Sequence, residues 1–180
     1  MTGEDDWHCS PVDDPTHLFE DHYLRVIRFV MHLGASQSDA EDVALEAFCE
    51  AVALAKDKPD YWLEIRSKEA WVRTVALRRY NRWSGPRERP LMSFGRVPDV
   101  PSLGFGYDEG VIQPQDVLSA VQALPEEERT VAAFDLDDFD TADISREMGI
   151  PEQRVRDVRQ MYRAKLKLGL GGNNDSERRH

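Results

Sequence analysis

Cysteine is scarce in this chain of 180 residues. Cys9 and Cys49 form no C-x-x-C pair, and two thiols are too few for a disulfide framework. His8, His17, His22 and His32 show no ligand spacing with Cys or Glu, so no metal site is expected. Long apolar runs are missing as well: stretches such as Val131-Ala132-Ala133-Phe134 fall far short of the roughly 20 residues of a membrane-crossing helix. Glu4, Asp5 and Asp6 stand where a secretory leader would carry bases, so a cytoplasmic protein with no membrane partner is expected. Strand-like alternation is absent. So are a glycine-rich phosphate loop, a catalytic carboxylate pair and a nucleophile with its base. The expectation is a non-enzyme that needs no cofactor.

Basic residues are outnumbered too. The net charge of −11 argues against a nucleic-acid partner, because phosphate contacts need Lys and Arg. The distribution reverses that reading. Residues 1–14, 35–64 and 115–150 are strongly acidic. Residues 65–83, by contrast, hold Arg66, Lys68, Arg73, Arg78, Arg79 and Arg82 against Glu69 alone. Residues 151–168 hold Arg154, Arg156, Arg159, Arg163, Lys165 and Lys167 against Glu152 and Asp157. Two basic segments in an acidic chain suggest two nucleic-acid surfaces on a body otherwise suited to protein contact.

What is abundant is helical periodicity. Residues 1–14 form a polar, acidic tail expected to be disordered. Asp14-Pro15 then starts a helix whose apolar stripe is Leu18, Phe19, Tyr23, Val26, Ile27, Val30 and Met31, ended by Gly34. Ser38 and Glu41 read as a capping box for a second helix, with Val43, Ala47, Phe48, Ala51 and Leu54 inward and Pro59 as its stop. A third runs over Glu69–Trp83. The spacing of Trp71 with Val72 and Val75 places Trp71 in the core, whereas Trp83 is the better candidate for an exposed ring. Residues 84–114 hold five prolines, five glycines and no sustained period, the composition of a linker. Helices resume over 115–168, and the Gly-rich tail 169–180 is expected to fray. The fold class is therefore all-α: two small helical domains, 15–83 and 115–168, joined by a Pro/Gly-rich linker.

The most specific pattern is Thr141-Ala142-Asp143-Ile144-Ser145-Arg146-Glu147-Met148-Gly149-Ile150-Pro151-Glu152-Gln153-Arg154-Val155. A short helix, a glycine turn and a second helix make a helix-turn-helix. Ala142, Ile144, Met148, Ile150, Val155 and Val158 supply its anchors. Gln153, Arg154, Arg156, Asp157, Gln160 and Arg163 are left outside, and Arg and Gln can bond base edges in pairs.

Together with Leu124-Pro125-Glu126-Glu127-Glu128-Arg129 and Tyr162-Arg163-Ala164-Lys165-Leu166-Lys167, this region resembles the promoter-reading C-terminal domain of extracytoplasmic-function sigma factors. Asp39-Ala40-Glu41-Asp42-Val43 followed by Glu46-Ala47-Phe48 is similar to that family's polymerase-binding helix. Trp71-Val72, Val75-Ala76 and the arginines beyond are similar to its minus-ten helix. The resemblance implies binding to core RNA polymerase through Asp39, Asp42, Glu46 and Phe48, and to promoter DNA through two sets of residues. Arg73, Arg78, Arg79 and Arg82 belong to the first, and Gln153, Arg154, Arg156, Arg159 and Arg163 to the second. It also implies possible control by an anti-sigma factor. A DNA-binding regulator acting without polymerase, or a sigma-like protein-interaction module, are the other readings. The chain departs from the family at Arg78 and Arg82, where Asn and Asp are usual. It departs again at Asp157, where a small polar residue is usual, and at the acidic run Asp135, Asp137, Asp138 and Asp140, where a basic residue is common.

Overall fold

The computed structural model describes residues 14–83 and 114–176, with side chains as far as Lys167. The expectations for the acidic tail, for 84–113 and for 177–180 lie outside the described residues. Every element among the described residues is helical: α1 (Pro15–His32), α2 (Gln37–Asp57), α3 (Pro59–Glu64), α4 (Lys68–Trp83), α5 (Pro114–Gln122), α6 (Glu126–Asp135), α7 (Thr141–Met148) and α8 (Glu152–Ser176). They fall into two clusters, α1–α4 and α5–α8.

Local chemistry sets most boundaries. The Asp14 carboxylate accepts the Thr16 N–H at 2.8 Å, and Pro15 opens α1. At the other end Gly34 takes φ +108°, and the Tyr80 hydroxyl lies 3.2 Å from where a Cβ would stand. That hydroxyl donates to the Leu33 carbonyl at 3.1 Å. The cap of α2 is Ser36 rather than Ser38: the Ser36 hydroxyl accepts the Asp39 N–H at 3.2 Å. Glu41 accepts from the Gln37 side chain at 2.9 Å, so it serves the first turn without forming the box. Pro59 stops α2 as expected, but it also opens α3, which the periodicity did not reveal. A proline suits the first turn of a helix as well as it ends the one before. Trp62 of α3 is buried edge-on against Trp71, ring centres 5.8 Å apart. Helix α8 continues to Ser176, through positions where fraying was expected.

The two clusters are not held apart. Helix α1 packs on α5 and α6, and α4 packs on α7, so one apolar core runs through both. This explains why Val26 to Leu33 is buried all round instead of along one stripe; such a segment must be covered on every side. Phe29 meets Phe134 edge-on at 4.8 Å, and the Gln122 side chain donates to the Met31 carbonyl at 2.7 Å.

One carboxylate fastens the junction. Asp137, on the turn after α6, accepts from Arg28 of α1 at 3.2 Å and from the Nε of Arg73 of α4. All three side chains are at least nine-tenths buried. Arg73 also donates to the Glu69 carbonyl at 2.9 Å and lies 4.9 Å over the Phe139 ring. A second tie runs from the Thr74 hydroxyl to Glu147 of α7, at 2.7 Å.

His32 is buried close to this cluster. Burial first, and the nearby Arg28 charge second, lower its pKa to about 4. The folded protein therefore keeps His32 neutral, while the unfolded chain takes up a proton near the usual 6.5. Stability from this group is complete above that value and is lost as pH falls towards 4. Its contribution reaches about 3 kcal/mol at most. Urea titrations at pH 7.5 and pH 5 are expected to show a clear loss at the lower pH. His32→Gln is expected to flatten that difference, leaving a smaller share from half-buried His22, whose pKa burial also lowers.

Candidate nucleic-acid interface

The helix-turn-helix is assembled from α7, the Gly149 turn and α8. Asp140 caps α7 by accepting the Asp143 N–H at 2.7 Å. Gly149 takes the left-handed conformation, φ +66°, and its N–H reaches the Ser145 carbonyl. The Ser145 hydroxyl donates to the Ile150 carbonyl at 2.6 Å, which pins the far side of the turn. Ile144, Val155, Val158 and Tyr162 are fully buried, and Leu166 nearly so. These anchors rotate the opposite face of α8 outward. Arg156, Gln160, Arg163 and Lys167 then form one stripe at i, i+4, i+7 and i+11. With Arg159 and Ala164 they line an open groove of about 430 Å³.

Acidic neighbours hold these bases in place. Both oxygens of Glu127 on α6 take Arg154, lowering the Glu127 pKa and raising that of Arg154. Glu152 pairs with Arg156 at 3.1 Å, and Asp157 accepts from Gln153 at 2.8 Å. Asp135 accepts from Arg159 and Arg163, each at 2.7 Å, and from the Tyr162 hydroxyl. Glu128 pairs with Lys165 at 2.6 Å.

The first cluster carries a second charged surface. Asp42, Val43 and Glu46 of α2 face Arg79, Arg82 and Trp83 of α4 across a small cleft of about 110 Å³. Arg79 bridges to Glu46 at 3.2 Å and to Glu50 at 2.7 Å, and these bonds raise its pKa. Arg78, Arg82 and the Trp83 ring are exposed.

Residues 115–168 match the family described as sigma-70, region 4. No curated protein sequence matches the chain. Among solved structures, the chain is similar to the sigma factor RpoE of Bartonella quintana, determined in complex with the anti-sigma factor NepR. Identity is 19%, the TM-score is 0.61, and the match covers 86% of this chain and 96% of that one. Residues 115–168 therefore form a sigma-70 region 4 domain. That domain is α5–α8, so α8 is the second helix of its helix-turn-helix, and the all-α fold in two clusters is similar to that of the Bartonella quintana structure.

The residues singled out from sequence are placed unevenly. Gln153, Arg154, Arg156 and Arg163 lie on the exposed side of α8, whereas Arg159 is mostly covered and donates to Thr141 at 2.8 Å. Arg78, Arg79 and Arg82 reach the surface, Arg79 already engaged by α2. Arg73 is a correction: it is 1% exposed, held by Asp137, and in this arrangement cannot meet DNA. Asp42 and Glu46 are exposed, and Asp39 is half-buried in the first turn of α2. Phe48 is the second correction. It is buried against Phe19 and Tyr23, with ring centres at 5.2 and 6.2 Å, and offers no surface to a partner. Sequence reasoning passed over Arg28, although a lone base between Ile27 and Phe29 was a visible signal.

Two substitutions test these placements. Phe48→Ala is expected to destabilise the fold by about 3–5 kcal/mol, measured by urea unfolding. Gly149→Ala meets no atom within 4 Å, so its cost is the backbone term of about 1–2 kcal/mol, read as a lower Tm.

Proposed function

We propose that this chain is a sigma factor, a dissociable initiation subunit of the extracytoplasmic-function class. It directs core RNA polymerase to promoters and performs no catalysis itself. The acidic face of α2, with Asp39, Asp42 and Glu46, binds core. Complementary charge of this kind guides association and register more than it sets affinity. Arg78 and Arg82, with the exposed Trp83 ring beside them, contact the separated promoter strand near the minus-ten element. Arg154, Arg156, Arg163 and Gln153 on α8 contact the minus-thirty-five element. The observation that carries this reading is the exposed basic stripe of α8 on a region 4 scaffold.

Asp157 adds an acceptor beside the stripe that suits a cytosine amino group. The Bartonella quintana relative is bound by an anti-sigma factor, and the same mode of control is proposed for this chain. A duplex-reading regulator acting without polymerase, or a pure interaction module, finds no observation in its favour.

Reconstitution with core polymerase, followed by transcription from a genomic fragment library, tests the proposal. Core binding and discrete start sites are expected. Arg156→Ala combined with Arg163→Ala is expected to cut transcription tenfold or more while leaving core binding intact. No association with core, or tight duplex binding by the isolated chain at moderate salt, would overturn the reading.

A further inference from the structure

The arginines of α8 are not its outermost residues. At 3.6 residues per turn, Gln153, Asp157, Gln160 and Ala164 fall within about 60° of one another, opposite the buried Val155, Val158, Tyr162 and Leu166. All four are exposed. Arg156 and Arg163 flank this ridge on one side. Arg154 and Lys165 flank it on the other, drawn towards Glu127 and Glu128 of α6. A helix lying in a major groove meets base edges with its outermost ridge and phosphates with its flanks. The four ridge residues include no cation, and one of them is an acid.

Two of these residues hold each other in a defined orientation. Gln153 Nε2 donates to the Asp157 carboxylate at 2.8 Å, and Gln153 Oε1 accepts from Nε of Arg156 at 3.2 Å. A carboxylate only accepts and a guanidinium only donates, so the amide cannot turn over without losing both bonds. The amide keeps one N–H and one lone pair to offer, and Asp157 its second oxygen. In the major groove adenine alone sets an acceptor, N7, beside an amino donor, which is the complement of that amide edge. The second carboxylate oxygen suits another amino group, of cytosine or of adenine. Against the keto oxygen of guanine or thymine it would be unpaired, which is a means of rejection. We infer that Gln153 and Asp157 set the base preference of this helix. Gln153 takes an adenine, Asp157 takes a neighbouring amino-bearing base and excludes guanine and thymine, and Arg156 and Arg163 bind phosphates without choosing among sequences. The inference rests on the proposed function for its ligand, yet it concerns which sequence is bound rather than whether core is.

The test is a selection by the full chain, without polymerase, from fluorescein-labelled duplexes carrying about ten randomised base pairs, at low salt so that binding is measurable. The unaltered chain is expected to enrich adenine at one position and adenine or cytosine beside it, each about tenfold over the alternatives. Gln153→Ala is expected to abolish the first preference. Asp157→Ser is expected to abolish the second and to weaken the first, because the amide is then free to turn. The same variant should bind the unselected pool about threefold more tightly, since a negative charge is removed from among phosphates; loss of a merely structural residue would not tighten binding. Arg163→Gln is expected to weaken all sequences alike, with a logarithmic salt slope shallower by about 0.9, and to leave both preferences in place. No enriched sequence for the unaltered chain, a preference that survives its own variant, or preferences lost with Arg163→Gln would overturn the inference. Core binding and transcription are measured separately, so either result can stand without the other.

Discussion

A single carboxylate in contact with two arginines decides how this molecule is put together. Asp137 sits where α1, α4 and the turn after α6 meet, with almost no access to water. Isolated, any of the three charges would be expensive to bury; together they are tolerable because each satisfies the others. The aromatic contact of Phe29 with Phe134 and the bond from Gln122 to Met31 depend on the same alignment. So does the packing of α7 over α4. Loss of this contact would leave Arg73, 1% exposed, without its carboxylate in the seam between the clusters.

Most of the helices were legible because their causes are local. Asp14-Pro15, the stripe from Leu18 to Met31, the Gly149 turn and the anchors Ile144, Val155 and Val158 are fixed by capping, period and backbone sterics. What escaped was long-range. Arg73 carried every outward sign of a phosphate contact, and only its placement against Asp137, 64 positions away, removes it from the surface. Phe48 is inward by helical period and a partner contact only by resemblance; the period was right, since Phe19 and Tyr23 close over it. Asp135 and Asp137 stood out as departures from the expected pattern, and both turn out to have specific arginine partners. An unusual residue signalled a contact, but not with what.

The acidic balance of the chain acquires a physical meaning from these pairs. On α8 the bases stand beside carboxylates from α6 and from the helix itself, so the basic stripe is ordered before any ligand arrives. Pre-ordering reduces the conformational entropy lost on binding, although exchanging a carboxylate for a phosphate offsets part of that gain. On α4 the same device links two surfaces, since Arg79 is shared with Glu46 and Glu50 of α2. Charge is thus spent on internal alignment as much as on attraction, which is how a protein of net charge −11 can present two cationic faces.

Among the described residues the tryptophans, Trp62, Trp71 and Trp83, all lie in the first cluster, and Trp62 and Trp71 meet edge-on there. Emission from these three indoles therefore reports one half of the molecule, while circular dichroism reports both. Because a common interior joins the halves, the two optical signals should trace one melting curve. A solvent or ligand that pries the halves apart would make the curves diverge, turning an uneven distribution of chromophores into a native gauge of cooperativity.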